Sequence, residues 1–418
     1  MIKEGIAVNF KNTFPALANE NFRYFWLGQC ISFLGTWMQR AAQQWLVYTI
    51  TKSALLLGVL GVAQFSPILL FSLFAGVFVD RYPKKKIILI TQTALMLQSF
   101  LLALLVWTGH VRYWQVLFLA TIMGLANTLD MPARQSFFID LVGKKDLTNA
   151  IALNSAIVNL ARITGPTIAA LLMANFGASF CFLFNAVSFI PAIIGLNLAK
   201  PITNDSNSIP KKQENVFASI IEGLKYILSK PILLIAVAVM LAVGTFAMNM
   251  EVIFPVFADK ALHKGVHGYG FLLSANGLGS LAGSFWMAAR SKMGPSIKYL
   301  FISSLILSLL LITINFIHFY ILTLIISAVL GFSSIIFMMT VNSTIQLNTN
   351  NRYRGRIMSV YTLAFAGTTP LGNLFAGSIT EKYGPGIGFL MCGAVTGILV
   401  LFIMIISLIG LKRDQLED

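Results

Sequence analysis

The sequence predicts an all-α membrane protein with twelve transmembrane helices in two pseudo-symmetric six-helix bundles. Three observations predict it. Of the 418 residues, 57% are hydrophobic and only 11% are charged. Soluble domains are about a quarter charged, so much of this outer surface must face lipid. Apolar runs of the roughly 20 residues that a helix needs to cross a bilayer core recur along the whole chain. One long polar stretch, Pro201 to Asn215, divides those runs into two sets of six.

The first set comprises 22–50, 54–80, 86–108, 113–134, 147–175 and 178–199, and the second 231–258, 267–290, 297–316, 319–345, 356–380 and 385–411. They are too long for barrel strands and lack the alternation of a barrel. The N-terminal segment Met1 to Glu20 is polar, without the basic-then-apolar pattern of a signal peptide, so the first span is expected to be retained. Orientation follows from Lys and Arg, which gather on the cytoplasmic side. With the N-terminus inside, only Lys52, Arg112, Lys260, Lys264 and Lys382 fall outside, and only Arg40 and Arg162 fall within spans. Both termini are therefore expected in the cytoplasm, around a bacterial-type plasma membrane. The domains read as an N-terminal bundle (1–200), a cytoplasmic linker (201–230) and a C-terminal bundle (231–418). Within the linker, Val216 to Leu228 is expected to form an amphipathic helix on the membrane surface.

The net charge of +15 does not indicate nucleic acid, because the basic residues are dealt out in small groups between apolar runs. Cys30, Cys181 and Cys392 sit in apolar stretches and read as packing residues, and no Cys/His cluster marks a metal or cofactor site. Four histidines, His110, His263, His267 and His318, fall in outer loops without metal-site context. No Gly-x-x-x-x-Gly-Lys-Ser/Thr occurs, so ATP hydrolysis is not indicated. No nucleophile and base pair marks an enzyme either. Two duplicated halves suggest a transporter. The end of span 2 (Phe74 to Arg81) has a counterpart at Leu281 to Phe285 followed by Arg290, and Gly165-Pro166 has one at Thr369-Pro370.

Charges inside a bilayer are costly and mark function by default. Arg40, Asp130, Arg162 and Glu251 stand out. Span 1 carries Gln29, Ser32, Thr36, Gln39, Arg40 and Gln43 at helical spacing, a polar face that should line a water-filled cavity or bond to partner helices. Ser155, Asn159 and Arg162 share a face of span 5, and Arg162 can pair with Glu251 or with an acidic substrate group. Asn249 and Glu251 on span 7 complete the expected cavity set. Glu251 is the candidate for proton coupling, because burial moves a carboxylate toward neutral pH; a fixed ion pair or a rim position is the alternative. Trp37 and Phe246 are candidates for an apolar cavity wall.

The stretch Gly76-x-x-x-Asp80-Arg81-x-Pro83-Lys84-Lys85-Lys86 resembles the cytoplasmic signature of the major facilitator superfamily, departing from it at Pro83 and in using lysines. Four further stretches resemble its drug, macrolide and siderophore exporters, the enterobactin-exporter-like branch: Asn21 to Gln29, Asp130 to Gln135, Asn159 to Pro166 and Arg354 to Ser359. The resemblance implies that helices 1, 4, 7 and 10 line a central cavity. It also implies a cytoplasmic gate built on Gly76, Asp80, Arg81, Lys84, Lys85, Asp130 and Arg134. The function it implies is export of an amphiphilic small organic molecule by alternating access and proton antiport, with import or lipid flipping as the alternative. A non-transporting receptor or scaffold is the third possibility. The expected partners are the small-molecule substrate, protons or another coupling ion, and lipids, with the chain a monomer. Span 4 reads Thr121 to Ala126 where many proton-coupled exporters carry an intramembrane arginine.

Overall fold

The computed structural model describes residues 14–200, 216–290, 296–317, 319–350 and 353–417, and among them all regular structure is helical. Nine helices among the described residues are long and apolar enough to cross a membrane.

A turn at Pro15–Ala18 leads to α1 (Glu20–Thr51), whose start is capped by the Asn19 side chain accepting from the Asn21 and Phe22 amides at 2.9 and 3.2 Å. A sharp corner with Lys52 in left-handed conformation (φ 52°) leads to α2 (Ala54–Arg81), capped by Ser53. Then come α3 (Lys84–Trp107), α4 (Tyr113–Gly143), α5 (Lys145–Phe176) and α6 (Ala178–Leu198). The α4–α5 junction is one residue, Gly143, at φ 69° and ψ −178°. That conformation penalises any side chain, so glycine lets one long helix bend into two. By hydropathy span 4 ends at 134, but α4 runs nine residues further, because the backbone ladder stops only at this glycine.

A helix at Val216–Leu228 precedes α7, which is broken: Pro231–Phe246, a gap at Ala247–Asn249, Met250–Val256 and a π-helical turn at Phe257–Ala261. Asn249 covers the break: its Nδ2 donates to the carbonyls of Thr245 (2.7 Å) and Phe246 (3.3 Å), capping them where the helix fails. Further on, Pro255 has no N–H to offer the Glu251 carbonyl. The remaining helices are α8 (Gly265–Ala289), α9 (Ile297–Ile314), α10 (Tyr320–Leu347), α11 (Arg354–Tyr383) and α12 (Pro385–Glu417).

Packing falls into two sets. Helix α1 packs on α4, α5 and α6, α3 on α4 and α6, and α2 on α4; in the second half α8 packs on α10, α9 on α10 and α12, and α7 on α11 and α12. The two sets meet along two seams, α2 with α11 and α5 with α8. Glycines set the closest approaches. A Cβ on Gly279 of α8 would run into the Ala328 carbonyl of α10. Gly76, by contrast, has no atom within 4 Å of the position a Cβ would take.

Gly279→Leu should therefore force α8 off α10 and cost about 1–3 kcal/mol or more, read as a lower melting temperature in detergent. Gly76→Ala should leave melting unchanged.

Candidate functional site

The polar face of α1 divides into two. Gln39 is fully buried; its Oε1 accepts from Ser99 Oγ (2.6 Å) and Asn185 Nδ2 (2.8 Å), and its Nε2 donates to Gln98 Oε1 (3.3 Å). Gln43 Oε1 accepts from Gln64 Nε2 at 3.2 Å. Gln29 accepts from Arg134, Ser32 is buried, and Thr36 Oγ1 donates to the Ser32 carbonyl at 2.8 Å. Gln29, Gln39, Gln43 and Thr36 bond within the first set of helices and Ser32 is buried there; none of the five lines the cavity, which corrects that expectation. Helix α1 is enclosed on several sides, and its polar side chains reach α2, α3, α4 and α6 before they reach open space.

A cavity of about 410 Å³ lies between the two sets. Helix α1 lines it with Trp37, Arg40, Ala41 and Gln44, α5 with Arg162, Ile163 and Pro166, and α7 with Gly244, Met248, Met250, Glu251 and Phe254. Phe65 of α2 and residues of α8, α10 and α11 complete the wall, among them Tyr269, Asn276, Ser280, Met338, Phe365 and Asn373, while α4 contributes nothing. Of the implied helices 1, 4, 7 and 10, α1, α7 and α10 line the cavity and α4 does not, its place being taken by α2, α5, α8 and α11. Arg40, Arg162 and Glu251 meet here. The Arg40 guanidinium carbon lies 4.6 Å from the Trp37 ring centre and 5.4 Å from that of Phe65. Arg162 donates to Asn159 Oδ1 at 3.0 Å. Glu251 sits directly after the break in α7, close enough to Tyr269 to act on it electrostatically. Among the described residues no ion pair joins Arg162 to Glu251. Asn249 spans the helix break and Asn159 supports Arg162; neither lines the cavity. Phe246 packs edge-on against Phe375 at 5.0 Å, away from the wall that Trp37 joins. Sequence reading missed Gln44, although Trp37, Arg40 and Gln44 repeat at three and four residues; choosing the glutamine-rich neighbouring face hid it.

At the end where α2 turns into α3, Arg134 is buried and pairs with Asp130, with Gln29 as a second acceptor; Asp130 also accepts from Thr91 Oγ1 (2.8 Å) and Gln92 Nε2 (3.1 Å). Lys84 pairs with Asp140 at 2.9 Å, and Lys85 donates to the carbonyls of Asn197 and Ala199, both at 2.9 Å. Arg81 is exposed, and the Asp80 side chain lies outside the described residues. Among the described residues Asp130 thus engages Arg134, Thr91 and Gln92, and no ion pair joins it to Arg81. Asp140 was not anticipated, since a lone acid beyond the apolar run carries no signal until the fold sets it beside Lys84.

At the opposite end the two sets are tied together. Tyr48 Oη donates to Asp259 Oδ2 (2.8 Å), Lys52 pairs with the same oxygen (3.1 Å), and the Ala54 amide donates to Glu381 Oε2 (2.7 Å). Deeper in, Tyr269 Oη donates to the Ala41 carbonyl at 3.4 Å. These four are the described hydrogen bonds between residues 14–200 and 231–417.

A multi-pass, all-helical membrane chain with a charged and aromatic cavity between two joined halves is built as a small-molecule transporter. The chain belongs to the transmembrane secretion effector family of the major facilitator superfamily, whose sequence model matches residues 11–416. It is 24% identical over 397 residues to the staphyloferrin A transporter of Staphylococcus aureus, covering 94% of this chain and 98% of that one. It is 26% identical over 354 residues to the multidrug efflux pump Tap of Mycolicibacterium fortuitum, covering 83% and 86%. Among solved structures, the nucleoside transporter NupG superposes with a TM-score of 0.73 at 11% identity, covering 92% of this chain and 98% of that one, a likeness of fold alone. The chain is a transporter and not an enzyme.

Removing one partner of a buried ion pair leaves the other charge uncompensated. Asp130→Ala should cost about 3–5 kcal/mol, measured by unfolding in detergent, and Asp130→Leu combined with Arg134→Met should recover most of it.

Proposed function

We propose that this chain is a secondary active transporter of twelve transmembrane helices in two six-helix bundles, exporting an amphiphilic small organic molecule by alternating access and proton antiport. The bundles are 1–200 and 231–418, joined by the 201–230 linker. It works as a monomer in a bacterial-type cytoplasmic membrane with both termini inside.

The observation that carries this reading is a cavity walled from both sets of helices, whose hydrogen bonds to each other among the described residues gather towards one end. A site reached from one side, with a closing seam on the other, is what alternating access requires. The tied end carries few basic residues (Lys52, Arg112, Lys260, Lys264 and Lys382), whereas Arg81, Lys84, Lys85, Lys298 and Arg356 belong to the opposite end. That asymmetry supports an outward-facing seal and a cavity open to the cytoplasm. Trp37, Phe65, Phe254 and Phe365 with Met248 and Met338 offer an apolar, adaptable wall for an amphiphile. The efflux pump among the relatives supports export. Glu251 is the coupling residue in this reading: it stands in the cavity, without an ion-pair partner among the described residues, on the broken part of α7. A helix break beside a substrate site is where a bundle can flex.

A thermal-shift screen of siderophores, macrolides, dyes and lysolipids should find a stabilising ligand. In proteoliposomes that ligand should move protons in the opposite direction to itself. Glu251→Gln should abolish the proton movement while the protein stays folded; undiminished coupled transport would remove Glu251 from the mechanism.

The seal makes its own prediction. Asp259→Asn weakens the acceptor shared by Tyr48 and Lys52. A loss of about 1–2 kcal/mol shifts a two-state equilibrium about five- to thirtyfold. A cysteine replacing Ala41 should be labelled by external thiol reagents faster by that order in the Asp259→Asn background, and equal labelling rates would show that Asp259 does not hold the seal.

A further inference from the structure

We propose that the cargo is an amphiphilic organic anion, its negative group held by Arg40 and Arg162 and its apolar body against Trp37 and Phe65. This deepens the reading of the cavity as the transport site and rests on it.

Two guanidinium groups line one cavity, and among the described residues neither lies within 4.0 Å of a carboxylate. They are near enough for Arg162 to feel the charge of Arg40. Like charges in a site walled by apolar side chains repel strongly, because the effective dielectric is low. Nothing on the cavity wall offsets both, since Glu251 is the one carboxylate among the lining residues. The site thus carries one uncompensated positive charge, and a bound anion relieves it. The geometry suits an oxyanion. The Arg40 guanidinium carbon lies over the Trp37 ring at 4.6 Å and the Phe65 ring at 5.4 Å, so two aromatic faces hold the cation at the wall while its N–H groups remain donors for an oxyanion. Arg162 is steadied by Asn159 at 3.0 Å and keeps further donors.

A second, independent feature points to a ligand at the same wall. Gln44, one turn beyond Arg40, lines the cavity with 1% of its surface exposed, and neither its amide nitrogen nor its oxygen has a hydrogen-bond partner. A buried amide without partners costs about 1–3 kcal/mol. On the same helix Gln39 bonds through both amide atoms, while Gln29 and Gln43 bond through the oxygen alone; among the described residues Gln44 is the glutamine of α1 with neither atom bonded. A polar group on the cargo satisfies it. Glu251 on the second set of helices sets a limit: its charge opposes a second negative group and favours cargo with a single one. Removing that charge should therefore tighten anion binding.

Two probes of nearly one shape separate charge from apolar contact: 8-anilinonaphthalene-1-sulfonate, and its uncharged counterpart N-phenyl-1-naphthylamine. Full-length protein in nanodiscs is dialysed to equilibrium against each probe, with empty nanodiscs subtracted. The sulfonate should bind saturably, and Arg40→Gln and Arg162→Gln should each weaken it about tenfold or more, the loss of a charged hydrogen bond. The same variants should leave N-phenyl-1-naphthylamine within about twofold. Arg162→Lys keeps the charge and should retain most sulfonate binding, which separates lost charge from lost fold; Glu251→Gln should bind the sulfonate more tightly than wild type. If both arginine variants bind the sulfonate as wild type does, or lose both probes equally while melting normally, the anion site is wrong and the cavity reading stands. If neither probe binds above empty nanodiscs, the cavity reading falls with it.

Discussion

Lipid offers no hydrogen-bond partner, so a polar side chain on a membrane-crossing helix must be satisfied inside the protein or by enclosed water. This constraint organises the first half of the chain. Gln39 joins α1 to α3 and α6 through Gln98, Ser99 and Asn185, and Gln43 joins α1 to α2 through Gln64. These amides hold four helices in one register. What they leave over is informative: among the described residues Arg40, Gln44 and Arg162 have no such partners in neighbouring helices, and all three line the cavity. The cavity is the place where the first half's internal bonding stops.

The same rule acts on the backbone of α7. A helix that breaks in the membrane exposes carbonyls, and Asn249 covers two of them. The amide therefore serves the backbone, and Glu251 two residues on is set at the cavity by a helix end instead of by a regular helical face. The π-helical turn that follows delivers Asp259 to Tyr48 and Lys52. The stretch from Ala247 to Ala261 thus carries both the cavity carboxylate Glu251 and the acceptor Asp259.

Energetically the seal is suited to reversal. A neutral hydrogen bond contributes about 0.5–1.5 kcal/mol and a charged one about 1.5–3. Lys52 and Asp259 are partly exposed, so their pair sits at the low end. Four such bonds between the two sets add up to several kcal/mol at most, a sum small enough for the proposed binding of cargo or a proton to overturn. The buried Asp130–Arg134 pair is different in kind. It lies within one set of helices, nearly excluded from solvent, and breaking it would cost the fold without opening the seal.

Composition and hydropathy sufficed for the all-helical membrane class, because the charge deficit and the length of the apolar runs depend only on local chemistry. Helix ends were less legible: α4 outlasts its apolar run until Gly143, and α7 breaks inside one, since backbone bonding and hydropathy need not stop together. Arg40, Arg162 and Glu251 were conspicuous as charges in apolar surroundings. Their common address was not in the sequence, nor was the fact that Gln29, Gln39 and Gln43 turn inward while Gln44 remains unpartnered. A helix presents its residues in all directions, and periodicity says which of them share a face. Only the packing of the other helices decides whether that face meets an amide, a seam or open space, because each outcome depends on neighbours tens to hundreds of residues away.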